Sequence, residues 1–65
     1  MIMSELKKQR LLKGWTQLEL AKRSGIHQVT ISLLENGYKK PGLNEIIRLT
    51  KALEVDATTL FTSEV

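Results

Sequence analysis

The sequence predicts an all-α fold, a compact bundle of five short helices that forms one domain over residues 1–65. Four glycines and a single proline divide the chain into five short segments. Within these segments apolar residues recur at helical spacing. Helices of this length are marginal alone, and a chain this short buries only about 60% of its surface on folding. The segments must therefore pack together around a common core.

The first helix is predicted from residue 4 to residue 13. Ser4 is a suitable N-cap, and Gly14 follows directly to end the helix. Leu6, Arg10 and Leu11 lie near one face, which we expect to point inward.

The second helix is predicted from a capping box. Thr16 stands at the N-cap and Glu19 follows three residues later, the spacing at which both side chains satisfy backbone N–H groups. The helix then runs to Ser24 and ends at Gly25. Its inward residues are predicted to be Leu20 and Ala21.

Three further helices follow. The third is predicted from His27 or Gln28 to Asn36, ended by Gly37. The fourth follows Gly42 as N-cap and carries a broad apolar stripe composed of Leu43, Ile46, Ile47, Leu49, Ala52 and Leu53. Asp56 caps a last short helix that runs to about residue 61.

Residues 17–36 have the organisation of a helix-turn-helix, two helices joined by a tight turn that contains glycine. Ala21 is small where the two helices cross, and Gly25 supplies the positive φ that the turn needs. The apolar positions that bury the inner faces of both helices are Leu20, Ile26, Ile31 and Leu34.

The charge is distributed unevenly. Residues 1–40 carry eight Lys or Arg and three Glu, a net charge of +5, whereas residues 41–65 carry two Lys or Arg and four Asp or Glu, a net charge of −2. We expect the basic part to meet a polyanion such as nucleic acid. Scattered lysines also fit an ordinary solvated surface, so charge alone does not decide the function.

Several classes of function are disfavoured. With no cysteine and one histidine, His27, we expect no disulfide, metal site or cofactor. We find neither a pairing of nucleophile and base nor a phosphate-binding loop, so we expect no enzyme. No segment approaches the roughly 20 apolar residues of a membrane span, and no signal peptide is recognisable. We therefore expect a soluble protein of the reducing cytoplasm, associated with the nucleoid, with no membrane partner and no small-molecule effector.

Most of the chain resembles the phage repressor and Cro-like family of helix-turn-helix regulators, the XRE family, from about residue 4 to residue 61. The matching stretches are Arg10, 13–17, 19–21, Gly25, 30–32, 34–37, Pro41 and 52–53. The resemblance implies a five-helix, lambda-repressor-like DNA-binding domain. Two residues depart from the family pattern: His27 stands where a Ser or Thr cap is usual, and Glu54 stands where glycine usually ends the fourth helix.

The third helix is predicted to read bases. Because Ile31 and Leu34 point inward, the opposite face carries Gln28, Val29, Ser32, Leu33 and Asn36. A glutamine amide can pair with N6 and N7 of adenine, and apolar side chains can touch thymine methyl groups. We predict base contacts from Gln28, Val29, Ser32, Leu33 and His27, with the alternative that Val29 or Leu33 belongs to the core.

Contacts to the DNA backbone are predicted on both sides of that helix. Thr16 and the N-terminus of the second helix can bind a phosphate, although Thr16 is also explained as a cap. The resemblance implies that Gln17 reaches a phosphate and braces Gln28, and that the loop after the third helix contacts the sugar-phosphate backbone. Its candidate residues are Asn36, Tyr38, Lys39 and Lys40, although loop lysines often serve solubility only.

Two structural contacts are also predicted. Arg10 and Glu35 fall on inward faces, and in the resembling family the matching positions are paired, so we expect a buried ion pair. The less basic C-terminal third is the expected dimer contact, through Thr58, Thr59, Leu60 and Phe61. Leu60 and Phe61 could instead belong to the core together with Trp15.

The sequence thus predicts a DNA-binding transcriptional regulator, a repressor in our interpretation, that binds an operator in double-stranded DNA as a homodimer. An alternative is an antitoxin-like or adaptor module that mainly holds a protein partner. The basic residues of 1–40 and the polar outward groups of the third helix favour DNA. We expect an antitoxin to need a further partner-binding segment.

Overall fold

The computed structural model describes residues 4–60, and this part of the chain contains five helices and no strand. They are α1 (Ser4–Leu12), α2 (Gln17–Ser24), α3 (Gln28–Glu35), α4 (Leu43–Leu53) and α5 (Ala57–Leu60). The predicted all-α, five-helix fold is confirmed. None of these helices has the length and apolar character needed to cross a membrane.

The helices pack around one apolar core. α2 packs on α3 and α4, α1 packs on α3 and α5, and α4 also packs on α5. Every helix contributes to this core, which consists of Leu6, Leu20, Ile26, Ile31, Leu34, Leu49, Leu53 and Leu60. Trp15, Ala21, Ala52 and Val55 pack against it and are partly buried. The core therefore fixes the orientation of α3 against α1 and α2.

The start of α2 differs in one detail from the predicted capping box. Thr16 Oγ1 accepts a hydrogen bond from the Glu19 N–H at 3.1 Å. The Glu19 carboxylate, however, accepts from Arg23 Nε at 2.7 Å. Arg23 lies one turn further along the same face, where i and i+4 side chains meet. The cap is therefore formed by Thr16 alone.

Three residues expected to point inward are exposed. Leu11 is 56% exposed because it lies about 140° around the helix from Leu6, whereas Arg10 lies one turn above Leu6 and is buried. On α4, Leu43 and Ile47 are 75% and 53% exposed. They share one side of the helix, and the buried Leu49 and Leu53 occupy another. The apolar stripe of α4 is thus wider than the surface that its neighbours cover.

Two helix ends adopt left-handed backbone conformations. Gly25 ends α2 with φ 75°, and a Cβ at this residue would lie 2.8 Å from Arg48 Nη1. Glu54 ends α4 with φ 59° and ψ 44°, a conformation that costs an L-residue about 1–2 kcal/mol. The turn between α2 and α3 thus has glycine, which adopts this conformation without strain, whereas the end of α4 holds Glu54 in it at a cost.

Candidate nucleic-acid interface

The outward face of α3 carries the side chains predicted to read bases. Ile31, Leu34 and Glu35 are buried, so the helix turns its other side away from the core. On that side Gln28 is exposed, Val29 is 60% exposed, Leu33 is 37% exposed and Ser32 is half-buried. Neither Val29 nor Leu33 belongs to the core. α3 therefore presents a mixed polar and apolar surface to the outside.

His27 begins this surface as the N-cap of α3. Its backbone is extended, with φ −59° and ψ 142°. Nδ1 of its ring accepts a hydrogen bond from the Val29 N–H at 3.2 Å. A histidine thus replaces the serine or threonine that usually caps a helix here, and α3 begins at Gln28.

Asn36 ends the same surface. Its side-chain Nδ2 donates to the Ser32 carbonyl at 2.9 Å and lies 3.4 Å from Ser32 Oγ. The two side chains are therefore held together one turn apart, and the side-chain oxygen of Asn36, Oδ1, takes no part in this contact. An amide in this position can still present an acceptor to a ligand.

The first turn of α2 lies beside the end of α3. Thr16 is exposed, and Gln17 Nε2 donates to Glu35 Oε1 at 3.0 Å. Gln17 is thus tied to the end of α3. The expected bracing of Gln28 by Gln17 has no counterpart among the hydrogen bonds of residues 4–60.

A buried network holds these two helices to α1. Arg10 Nε donates to Glu35 Oε2 at 2.7 Å, and Arg10 Nη2 donates to Glu35 Oε1 at 3.1 Å. Arg10 Nη1 donates to the Trp15 carbonyl at 2.7 Å. Arg10 is 6% exposed and Glu35 is 3% exposed. The expected pair is thus present as a bidentate ion pair, and Gln17 extends it to α2.

The two lysines of the loop after α3, both predicted to contact the DNA backbone, have different surroundings in the structure. Lys39 Nζ donates to both Glu45 oxygens, at 2.8 and 3.0 Å, and to the Lys40 carbonyl at 3.3 Å. Lys39 is thus bound to Glu45 in the free protein, and its contact with a phosphate stays a prediction. Lys40 is exposed, and its ammonium group has no partner within residues 4–60. Tyr38 is 80% exposed.

Glu45 holds this loop to α4. Besides accepting from Lys39, its carboxylate accepts from the Gly42 N–H at 2.9 Å, so Glu45 satisfies the N-cap N–H at the start of α4, and glycine has no side chain to return the bond. The hydrogen bond from Lys39 and that from Gly42 hold the pKa of the Glu45 carboxyl below its usual value. This role of Glu45 was not predicted, although a glutamate three residues after an N-cap is a sequence signal for it.

One of the four residues expected at a dimer contact lies in the core, and the contact itself stays a prediction. Leu60 is 3% exposed and lies in the core, because α5 turns its single large apolar side chain toward α1 and α4. Its assignment to a dimer contact is corrected. Thr58 and Thr59 are exposed, and Phe61 lies outside the described residues.

Trp15 and Arg48 complete the surroundings of the helix-turn-helix. The Trp15 ring is half-buried, and the Arg23 guanidinium stacks over it at 4.5 Å from the ring centre. Arg48 places its guanidinium beside the turn at Gly25. Arg48 was missed because one arginine on an amphipathic helix does not by itself indicate a site.

Comparison with known proteins identifies relatives of this arrangement. A profile described as Helix-turn-helix matches residues 6–60. Antitoxin HipB of Escherichia coli O6:H1 is 43% identical over 49 residues, which cover 75% of this chain and 52% of HipB. The chain thus spans about half the length of that relative. YqaF of Bacillus subtilis, described as an uncharacterized HTH-type transcriptional regulator, is 39% identical over 56 residues, which cover 86% of this chain and 74% of YqaF.

A solved structure has the same fold. The restriction-modification controller protein C.AhdI from Aeromonas hydrophila superimposes with a TM-score of 0.84 and 31% identity, covering 89% of this chain and 88% of C.AhdI. The family match extends over nearly all the described residues, including both helices and the turn that carry the candidate interface. The chain belongs to the helix-turn-helix family of DNA-binding regulators, of the phage repressor and Cro-like (XRE) type.

Proposed function

We propose that the protein is a sequence-specific regulator, acting as a repressor, that binds an operator in double-stranded DNA as a homodimer with α3 in the major groove. The observation that carries this proposal is the outward face of α3. It presents the Gln28 amide next to exposed apolar groups at Val29 and Leu33, a combination that suits base edges and thymine methyl groups better than bulk water.

Groups suited to phosphates lie on either side of this face. The N-terminus of α2, capped by Thr16, carries partial positive charge and N–H groups that favour an anion. At the other end, Lys40 offers an ammonium group that has no partner among residues 4–60, in the loop after α3. Phosphate contacts of this kind fix register and orientation, whereas contacts from α3 would supply sequence information.

A homodimer fits the size of the interface. One α3 of eight residues reads only a few base pairs, and a two-fold dimer would place two such helices about 34 Å apart, one turn of DNA. A repressor of this kind would act by occupying its operator. Binding to chromosomal DNA would place it in the cytoplasm, at the nucleoid.

The test compares two DNA fragments, a selected operator and a random sequence of equal length. We expect Gln28→Ala to weaken operator binding by about 1–3 kcal/mol per half-site and to change binding to the random fragment little, because the variant loses hydrogen bonds to a base edge. The measurement is the affinity of the wild-type chain and of Gln28→Ala for each fragment, at two salt concentrations. Equal weakening on both fragments would contradict base reading by Gln28.

A second candidate is favoured by the similarity to HipB, which is an antitoxin. In that case the domain would hold a protein partner, and DNA binding would be secondary. A pull-down with the purified chain, with and without operator DNA, distinguishes the two functions. A partner that binds more tightly than the operator does would favour the antitoxin-like function.

A further inference from the structure

The cap of α3 fixes the hydrogen-bonding character of His27. Its Nδ1 accepts from the Val29 N–H at 3.2 Å, so Nδ1 carries no proton. A neutral imidazole has one donor and one acceptor nitrogen. The proton must therefore reside on Nε2, and the outer edge of the ring is a donor only.

This donor has no acceptor inside the described part of the protein. His27 is exposed, and no hydrogen bond from Nε2 occurs within residues 4–60. The open groove beside the ring is lined by Leu18, Ala21, Lys22, Gly25, Ile26 and Gln28. The charged member of that lining is Lys22, a cation that cannot accept a hydrogen bond. The Nε2–H is thus available to an acceptor on another molecule.

The position of the ring suggests which molecule supplies that acceptor. His27 directly precedes Gln28 at the N-terminus of α3, the end from which a recognition helix contacts base edges. In the major groove guanine offers N7 and O6, adenine N7 and thymine O4 as acceptors, whereas cytosine offers only its N4 amino donor. A donor with a fixed tautomer can therefore discriminate between these bases.

We propose that His27 is a specificity-determining residue that donates Nε2–H to a base-edge acceptor, N7 or O6 of a purine or O4 of thymine, and thereby disfavours cytosine at one position of each half-site. This inference rests on the proposed function, because it requires α3 to lie in the major groove. It assigns His27 a role beyond that of a cap.

The test is selection of bound sites from a random DNA pool by the wild-type chain, His27→Ser and Gln28→Ala. Serine is a competent N-cap, so His27→Ser retains the helix, which thermal unfolding checks. We expect His27→Ser to lose roughly 2- to 13-fold discrimination against cytosine at one position per half-site, because a single hydrogen bond is lost. Gln28→Ala is the matched control, and we expect it to lose preference at a different position.

Each other outcome overturns the proposal. A motif unchanged in His27→Ser would make His27 a cap only. Uniform weakening on every sequence would indicate a phosphate contact. An imidazole nitrogen NMR spectrum with the proton on Nδ1 would refute the tautomer without any DNA. If the wild-type chain enriches no motif, the proposed function fails together with this inference, whereas a motif insensitive to residue 27 refutes this inference alone.

Discussion

Glu35 accepts hydrogen bonds from α1 and α2 while it belongs to α3. Two come from Arg10 and one from Gln17, and both charged groups are buried. Burying an ion pair gives little net stability, but removal of one partner leaves a buried charge without compensation. At the scale of the residue, therefore, the main effect of Glu35 is to fix the position of α3, and its net contribution to stability is small.

We expect Glu35→Gln to destabilise the domain by about 3–5 kcal/mol, because the Arg10 guanidinium would remain buried opposite a neutral amide. This is a large share of the stability of a small domain. Urea unfolding measures the change. The matched control is Glu19→Gln, which removes the exposed pair with Arg23 and should cost less than about 1 kcal/mol. Equal losses in the two variants would contradict a structural role for the buried pair.

Replacement of Glu54 by glycine is expected to raise the stability of the domain. Its left-handed φ of 59° strains an L-residue, and its nearest cation, Lys13, is 3.7 Å away on the surface. We expect Glu54→Gly to stabilise the domain by about 1 kcal/mol, because glycine adopts this conformation without strain. Glu54→Ala retains the strain and removes the same carboxylate, so it should give no gain. A rise in the unfolding midpoint of Glu54→Ala equal to that of Glu54→Gly would show that charge, not backbone strain, matters here.

At the scale of elements, the loop between α3 and α4 carries two neighbouring lysines, Lys39 and Lys40, in different surroundings. Lys39 is held by Glu45, which also caps α4, whereas Lys40 is exposed without an internal partner in the described chain. A lysine that stays paired with a carboxylate neutralises no phosphate, so it releases no counterion from the DNA on binding. The two neighbouring residues should therefore respond differently to the same substitution.

We expect Lys40→Ala to reduce the slope of log affinity against log salt by about 1 per protomer, since it removes one phosphate contact. Lys39→Ala should leave that slope unchanged and should lower thermal stability slightly, because it frees the loop from Glu45. Titrations of one operator fragment at several salt concentrations provide both slopes. A loss of slope in Lys39→Ala alone would show that Lys39 exchanges Glu45 for a phosphate on binding.

The elements were predictable where local chemistry determines them. Thr16 and Gly25 mark the two ends of α2 in the sequence as they do in the structure. The exposure of Leu43 and Ile47 was not predictable, because periodicity defines an apolar face but not how much of it a neighbour covers. Leu60 was assigned to a dimer contact because the C-terminal third is the less basic part of the chain. α5, with four residues, is too short for its periodicity to show which side is inward.

In the candidate site, the outward residues of α3 were predictable from the sequence, but the contacts between elements were not. The outward residues of α3 follow from helical spacing once Ile31 and Leu34 are assigned to the core. The bond between Gln17 and Glu35 depends on how α2 crosses α3, which no local pattern encodes. The pairing of Lys39 with Glu45 likewise depends on the path of the loop.

At the scale of the whole molecule, one small core supports a candidate interface that belongs to three elements. The network of Arg10, Glu35 and Gln17 joins the first turn of α2 to α3, and Glu45 holds the loop after α3 to α4. Under the proposed function, the eight residues of α3 would read only a short sequence, and a second copy of the interface would supply the remaining specificity.

Selection of bound sites by the wild-type chain from a random double-stranded DNA pool tests the central claim most directly, that α3 reads base sequence within a homodimer. We predict an enriched motif of two inverted half-sites with centres about 10 base pairs apart, one turn of DNA. Binding without enrichment of any sequence, or enrichment of a single half-site without a symmetric partner, would contradict that claim.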